Sequence, residues 1–316
     1  MNKDKTTVSL TNLHCIGPEL LSLCRKTDCF NTRNVLEVIA LLSGLKKVMR
    51  LVVDNKSHDL IVNKLSAFNL YAVRSHWNMK TSFRTSLGDV YTELTDQNDP
   101  ESSSFVIMVS PKDKTAKEAR ALEDSSGKKG EIEKLFGYPL CCFRSYRNIC
   151  KNRDWLEELL NNTKIKEFYP WCANRIAYLF NENSMFFDYF PCSLECDNTA
   201  AISRKMQELA PVYGLVSVCK KWIQEMCRPV LIRKGVVVQL REFNFNDQNG
   251  HLNFNPQKIA LYGWKVAADA DKDFTWGSDS IKRIGKELHF FKNGKSTGYF
   301  IEEINDNRLL VFKEIL

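Results

Sequence analysis

Two short segments, each with a proline just ahead of a pair of cysteines, place the strongest constraint on how this chain can fold. The first is Gly137-Tyr138-Pro139-Leu140-Cys141-Cys142, and the second is Pro191-Cys192-Ser193-Leu194-Glu195-Cys196. Proline is favoured at the first position of a helix, because its missing N–H would have no partner there in any case. We therefore predict that a helix begins at each segment.

These predicted helix starts put the cysteines where a negatively charged sulfur is stabilised. Cys141 and Cys142 are expected in the first turn of one helix. Ser193 is a candidate N-cap for the second helix, which places Cys196 in its first turn and Cys192 just outside it. Unpaired N–H groups and the positive end of the helix dipole favour a thiolate at such positions.

If the cysteines of the two segments converge, thiolates alone form the site unless His76 or His251 reaches it, because no histidine lies between these two residues. All-thiolate tetrahedral sites hold zinc or an iron–sulfur cluster. Adjacent cysteines and a Cys-x-x-x-Cys spacing fit the paired knuckles of structural zinc poorly, whereas an iron–sulfur cluster accepts more varied spacing. The sequence therefore predicts a metal site, with an iron–sulfur cluster slightly favoured over zinc. Its ligands are Cys141, Cys142, Cys192 and Cys196.

Two other interpretations of these cysteines stay open. Cysteine is among the most buried residue types, so several thiols can pack inside a helical bundle without a function. The same thiols can also act as redox-active or nucleophilic groups. Three further cysteines near the N terminus have spacings that match no metal motif and are interpreted as small buried residues. They are Cys15, Cys24 and Cys29.

Three polar residues about one turn after a helix-start cysteine are the candidates for binding an anionic substrate. Arg144 follows the first cysteine segment, whereas Asn174 and Arg175 follow a third proline–cysteine segment, Tyr169-Pro170-Trp171-Cys172. Arginine and asparagine are also common on the solvated face of a helix, so the spacing alone does not decide between the two roles.

Composition excludes several classes of protein. A chain with 44% hydrophobic and 26% charged residues is an ordinary globular protein and not a disordered one. No apolar stretch near the N terminus predicts a signal peptide, and the longest apolar segment, Val35 to Leu45, is far shorter than the roughly 20 residues that cross a bilayer. We therefore expect a cytoplasmic protein without a membrane partner, whose eleven cysteines are reduced.

The net charge of +7 does not favour a nucleic-acid partner, because the excess of basic residues is spread along the whole chain. Phosphate binding needs a clustered stripe of lysine and arginine. The one dense cluster is typical of a solvated face, and it comprises Lys220, Lys221, Arg228, Arg233 and Lys234. No glycine-rich loop follows a predicted strand, so the sequence also argues against a nucleotide site of the P-loop or Rossmann type.

Hydrophobic periodicity divides the chain into three parts and predicts an α+β fold. Residues 1–130 form a predicted α/β N-terminal domain, with a βαβ-like unit over residues 49–74 and a hairpin of strands 89–94 and 105–110. Residues 131–229 form a helical domain that carries the cysteine segments, and residues 230–316 form an antiparallel β-rich C-terminal part. The predicted helices of the middle part are Glu131–Leu135, Leu140–Cys150, Arg153–Leu160, Cys172–Phe180, Leu194–Leu209 and Val212–Met226.

The two cysteine segments resemble a domain family of unknown function from archaea and bacteria, which carries a Gly-Tyr-Pro-x-Cys-Cys motif followed by a Pro-Cys-Ser-x-x-Cys motif. The resemblance extends over about residues 104–262 and implies no particular reaction. Members of that family often have a histidine just before the second motif. Phe187-Asp188-Tyr189-Phe190 has none, which argues against an imidazole ligand or base at this place.

Taken together, these features predict an enzyme that depends on a thiolate-ligated metal or an iron–sulfur centre and acts on a small molecule or an amino-acid derivative. A small-molecule substrate is the expected partner. The alternative is a non-catalytic binding or scaffold protein whose cysteines are buried and structural.

Overall fold

A computed structural model describes residues 10–83, 90–95, 102, 104–124, 129–149, 155–163, 169, 172, 176, 189–233, 236–246, 251–262, 278–284, 287–302 and 307–310 of the chain. Over these residues the protein combines helices with antiparallel sheets, which confirms the predicted α+β class. The described helices are α1 (Leu10–Cys24), α2 (Thr32–Leu42), α3 (His58–Ala67), α4 (Asp113–Asp124), α5 (Lys129–Leu135), α6 (Leu140–Ile149), α7 (Trp155–Asn161), α8 (Asp197–Val212) and α9 (Val216–Met226).

Most of the described strands are short and lie in the C-terminal part. They are β1 (Met49–Asp54), β2 (Tyr71–Phe83), β3 (Val90–Thr95), β4 (Ser104–Ser110), β5 (Val230–Arg233), β6 (Val236–Leu240), β7 (Phe243–Asn246), β8 (His251–Phe254), β9 (Ile259–Tyr262), β10 (Ser280–Ile284), β11 (Glu287–Lys292), β12 (Lys295–Glu302) and β13 (Asn307–Leu310).

The first sheet has the strand order β1-β4-β2-β3, and every neighbouring pair is antiparallel. Strands β1 and β2 flank α3 as predicted, but β4 lies between them. The predicted hairpin is wrong, since β3 pairs with β2 and not with β4. The physical reason is burial: six of the seven residues of β4 are buried, so this strand belongs in the centre of the sheet.

Helices cover both faces of this sheet. Phe105, Ile107 and Val109 of β4 belong to the main core, which also contains apolar residues of α1, α2 and α3. Val106 and Met108 point to the other face and pack in a second cluster with residues of α4 and α5. The alternation along one buried strand therefore separates two layers of helices.

The main core continues from the N-terminal helices into the cysteine-bearing helices. The N–H of Gly17 in α1 donates to the carbonyl of Tyr213 at 3.1 Å, and a Cβ atom at Gly17 would lie 2.1 Å from that oxygen. Gly214 ends α8 with a φ of +72°, and a Cβ atom there would lie 2.4 Å from the carbonyl of His14. Two glycines thus permit α1 to pack closely against the turn between α8 and α9. The domain limits at residues 130 and 229 remain predictions.

The C-terminal strands form two sheets that pack face to face. One has the order β13-β5-β6-β9 and the other the order β12-β11-β10-β8-β7. Val237 of the first sheet lies in the main core, whereas its neighbour Val238 packs against the second sheet with Leu252 and Phe290. The four-stranded sheet is therefore sandwiched between the main core and the five-stranded sheet. Within the described residues, no helix has both the length and the apolar character needed to cross a membrane.

Candidate metal centre

The first cysteine segment folds as predicted. Helix α6 begins at Leu140, directly after Pro139, so Cys141 and Cys142 lie in its first turn. The turn before the helix requires Gly137, which has a φ of +70°. A Cβ atom at this glycine would also lie 3.0 Å from the carbonyl of Leu45. Backbone conformation and close packing both fix the start of α6 against the N-terminal part.

The second segment differs from the prediction in two respects. Helix α8 begins at Asp197 with Cys196 as its N-cap, so Ser193 is not the cap and Cys196 precedes the first turn. The reason is tertiary: the N–H of Leu194 donates to the Thr163 hydroxyl at 3.0 Å, and its carbonyl accepts the N–H of Tyr169 at 3.0 Å. The N–H groups of a first helical turn have no partner inside the helix and can bond elsewhere, but the Leu194 carbonyl would have to accept an N–H four residues later and instead accepts that of Tyr169.

The fold brings the four predicted ligands together. The sulfur of Cys142 lies 3.6 Å from that of Cys196 and 3.9 Å from that of Cys141. Cys141 and Cys196 are 3.8 Å apart, and the sulfur of Cys192 lies within 4.8 Å of the other three. In a regular tetrahedron of thiolates about 2.3 Å from one ion, neighbouring sulfurs are about 3.8 Å apart. The four sulfurs are therefore close enough to hold a single metal ion.

Hydrogen bonds among Cys142, Cys192 and Cys196 shift the pKa of each of these three thiols. Hydrogen bonds from Cys142 and Cys192 hold the pKa of Cys196 far below its usual value, although burial acts in the opposite direction. Hydrogen bonds with Cys192 and Cys196, together with burial, raise the pKa of Cys142. A hydrogen bond with Cys142 lowers the pKa of Cys192. The opposing effects of Cys196 and burial are larger and raise the pKa of Cys192 to about 12. The cluster thus stabilises a thiolate at Cys196, beside the N-terminus of α8.

Polar groups surround the sulfurs. The side-chain amide of Asn198 donates to the Cys141 sulfur at 3.4 Å, and the Thr199 hydroxyl lies 3.4 Å from the Cys142 sulfur. Sequence reasoning did not identify Asn198 or Thr199. Their place in the first turn of α8 is a signal only once that helix is known to begin at Asp197.

A fifth cysteine lies behind the cluster. Cys172 is fully buried, and its thiol donates to the carbonyl of Cys196 at 3.6 Å. Burial raises the pKa of Cys172 well above its usual value. This thiol supports the backbone of a candidate ligand and, unlike the four clustered cysteines, bonds to a carbonyl rather than to another sulfur.

The cluster is buried on one side and accessible on the other. Cys142 and Cys196 are buried, whereas Cys141 and Cys192 are half-buried. The exposed ring of Tyr146 stacks on Phe190, with centroids 5.4 Å apart and an interplanar angle of 12°. Solvent therefore has access to the side of the cluster formed by Cys141 and Cys192.

The predicted role of three residues in substrate binding stays a prediction. Arg144 is exposed on α6, and Asn174 and Arg175 lie outside the described residues. Within the basic cluster, Lys220 and Lys221 are exposed on α9, and Arg228 forms a salt bridge with Glu225 at 2.9 Å.

The prediction that the three N-terminal cysteines are small buried residues is only partly correct. Cys15 is exposed, and Cys24 and Cys29 are partly buried. The thiol of Cys24 donates to the carbonyl of Leu20 at 3.5 Å, an ordinary contact inside a helix. Among the described residues, they do not belong to the group of side chains close enough together to hold a metal.

Comparisons with other proteins supply no relatives: the chain matches no protein-family model, no curated protein and no solved structure. The resemblance based on the two cysteine motifs therefore stays a prediction.

Proposed function

We propose that the protein binds one metal ion, zinc in the first place, through the four cysteines Cys141, Cys142, Cys192 and Cys196. The observation that carries this proposal is the convergence of four sulfur atoms within 4.8 Å of one another. Thiolate ligands in a tetrahedral arrangement are those that zinc prefers in structural sites.

The distances between the sulfurs favour a single ion over an iron–sulfur cluster. In a cluster the cysteines ligate different iron atoms, which spreads their sulfurs around an inorganic core. Here three sulfurs lie 3.6–3.9 Å apart, which leaves room for one ion. We therefore propose zinc in place of the iron–sulfur cluster that the spacing slightly favours, with a single iron ion as the competing occupant.

The proposed centre has a structural role. Four protein ligands complete a tetrahedral coordination sphere, whereas catalytic zinc keeps one position open for water or substrate. Such an ion joins the start of α6 to the segment before α8, which are far apart in the sequence. A reaction on a small molecule remains a prediction from the sequence, and the metal-stabilised binding or scaffold protein is the function that the geometry supports best.

The surroundings of the sulfurs support a metal over inert packed thiols. Thiols that only fill space need no polar neighbours, and an apolar shell around the sulfurs is expected. Here Asn198 donates to Cys141, and the hydroxyl of Thr199 lies beside Cys142. Hydrogen-bond donors at sulfur stabilise negative charge, which is the state of a metal ligand.

Metal analysis of the protein purified without oxygen tests the proposal. We expect about one zinc ion per chain and a colourless solution, because zinc has no visible absorption. Cys141→Ser and Cys192→Ser remove the two half-buried ligands and are each expected to lose most of the metal. Cys219→Ser, which changes a buried cysteine of α9, is the control and is expected to keep it.

Three outcomes are informative. Stoichiometric iron with a visible spectrum would show that the site holds iron and not zinc. Sulfide found together with the iron would identify an iron–sulfur cluster. Absence of both metals from the freshly purified protein, together with no binding of added zinc, would overturn the proposal. Unchanged metal content in both ligand variants would show that the metal binds at a different site.

A further inference from the structure

A fully buried hydroxyl lies directly behind the cysteine cluster. Thr199 is in the first turn of α8 and has no exposed surface. Its oxygen lies 3.4 Å from the sulfur of Cys142, and it also accepts a hydrogen bond from the hydroxyl of Tyr189 at 3.3 Å. Thr199 therefore bridges a candidate metal ligand and a buried tyrosine.

The chemistry of a thiolate fixes the direction of these hydrogen bonds. A metal-bound cysteine has no S–H, so the Cys142 sulfur can only accept. The Thr199 hydroxyl can then donate its one proton to this sulfur, while its oxygen lone pairs accept the proton of Tyr189. Two hydrogen bonds in series therefore connect Tyr189 to Cys142 through the Thr199 hydroxyl.

Contacts with the first cysteine segment hold Tyr189, the outer hydrogen-bond donor, in place. Tyr189 is buried, and its ring packs against that of Tyr138 with centroids 5.3 Å apart. Tyr138, in turn, lies under the ammonium group of Lys46 at 5.2 Å. The tyrosine of the Gly-Tyr-Pro motif thus helps to position the donor that acts on the neighbouring cysteine pair.

Resting on the proposed metal centre, we propose that Thr199 and Tyr189 are positioning residues that stabilise the thiolate of Cys142 and set the affinity of the site. Four thiolates around a divalent ion leave a net charge of about −2, and buried negative charge needs hydrogen-bond donors. Partners behind the ligands commonly change metal affinity by about 10–100-fold. Asn198 supplies the corresponding donor to Cys141 on the exposed side.

Three variants separate the hydroxyl from its packing volume. Thr199→Val keeps the shape and removes the donor, Thr199→Ser keeps the donor, and Tyr189→Phe removes only the outer hydroxyl. Thr27→Val is the control, because Thr27 is also buried and its hydroxyl donates to the carbonyl of Leu23 at 3.3 Å, in another part of the fold.

The measurements are zinc affinity, by competition with a chromophoric chelator, and the sulfur-to-metal absorption of the Co²⁺ form. We expect Thr199→Val to weaken zinc binding by about 10–100-fold and to shift the cobalt band, because the sulfur loses a donor. Thr199→Ser and the control Thr27→Val should keep the zinc affinity and the cobalt band of the wild type. Tyr189→Phe should weaken zinc binding less than Thr199→Val does.

The outcomes distinguish this inference from the metal site itself. If the wild-type protein binds neither zinc nor cobalt, the proposed function fails first and this inference fails with it. If the wild type binds metal and Thr199→Val has the same affinity and the same cobalt spectrum, only the positioning role is overturned. Equal losses in Thr199→Val and Thr199→Ser would also overturn it, since packing would then explain the effect.

Discussion

The sulfur atoms of Cys142 and Cys196 lie 3.6 Å apart, although the two residues are 54 positions apart in the sequence. A metal ion shared by them would connect two segments that the polypeptide joins only through a long intervening stretch. Ligands that bind only the folded state stabilise it, because unfolding separates the groups that hold them.

Removal of the metal is therefore expected to destabilise the protein. With free zinc at about one hundred times the dissociation constant, the gain in the free energy of unfolding is about 2.7 kcal/mol. Urea unfolding with saturating zinc and with a strong chelator measures the difference. The Cys141→Ser/Cys192→Ser double variant is the control, and its unfolding should not respond to either addition.

The buried ion pair between Lys46 and Glu37 provides a second prediction. The side chains are only 5% and 6% exposed, and one carboxylate oxygen of Glu37 has no hydrogen-bond partner among the described residues. Lys46→Met leaves that carboxylate buried without a counter-ion, which is expected to cost about 3–5 kcal/mol of stability. Urea unfolding of the variant measures the loss.

The matched control for the ion pair removes both charges. Glu37→Leu/Lys46→Met avoids an unpaired buried charge and should recover most of the stability lost in Lys46→Met. A cost below about 1 kcal/mol for the single variant would show that the carboxylate is not desolvated as the structure indicates.

The close approach of α1 to the end of α8 gives a third prediction. Gly214 and Gly44 both have positive φ angles, +72° and +76°, but only at Gly214 would an added Cβ atom have a neighbouring backbone atom within 4 Å. Gly44→Ala should cost about 1–2 kcal/mol from conformation alone. Gly214→Ala should cost about 1–3 kcal/mol more, because the added methyl group meets the carbonyl of His14.

Chemical denaturation of both glycine variants tests this difference. Equal losses of stability in the two would mean that the turn after α8 can move away from α1 without cost, contrary to the packing described above.

Two thiols away from the cluster, the partly buried Cys24 and the buried Cys219, predict a loss of stability at alkaline pH. Burial raises the pKa of Cys24 and of Cys219 to about 11, from an ordinary value of 9.0. Between these values the unfolded chain has already lost the protons that the folded protein keeps, so the free energy of unfolding falls as the pH rises. Below about pH 9 both states are protonated and this contribution is fully present.

Urea midpoints at about pH 8 and pH 10.5, for the wild type and for Cys219→Ala, measure the effect. The variant should lose less stability than the wild type between the two pH values, because one of the two thiols is gone. Comparison of the two differences cancels the titration of all other groups. An identical pH dependence in both proteins would contradict the assignment to Cys219.

The local part of the site was predictable from sequence. A proline followed at once by apolar residues correctly located the start of α6, because the constraint on φ and the missing N–H act within a few residues. The start of α8 was not predictable in the same way. Thr163 and Tyr169 determine the conformation around Leu194, and these contacts exist only in the folded chain.

The arrangement of strands shows the same limit. Alternating apolar residues located β1, β2 and β4, but the pattern does not tell which strands are neighbours. In β7 and β8 asparagine, which is rare in strands, lies between the apolar residues, so their sequence pattern is a weak indication of strands. The proximity of the two cysteine segments is likewise a property of the tertiary fold, and the spacing of the residues contains no information about sulfur-to-sulfur distances.

The position of β4 between β1 and β2 has a consequence for synthesis of the protein. During translation β1, β2 and β3 leave the ribosome before β4. The edges of β1 and β2 that pair with β4 in the folded protein therefore stay unpaired until β4 is synthesised. Pairing between distant segments slows folding, and open edges favour association with other chains. A nascent chain that stalls shortly before Ser104 is therefore expected to bind chaperones, and the pairing of β4 covers the two edges that face it once Ser110 has emerged.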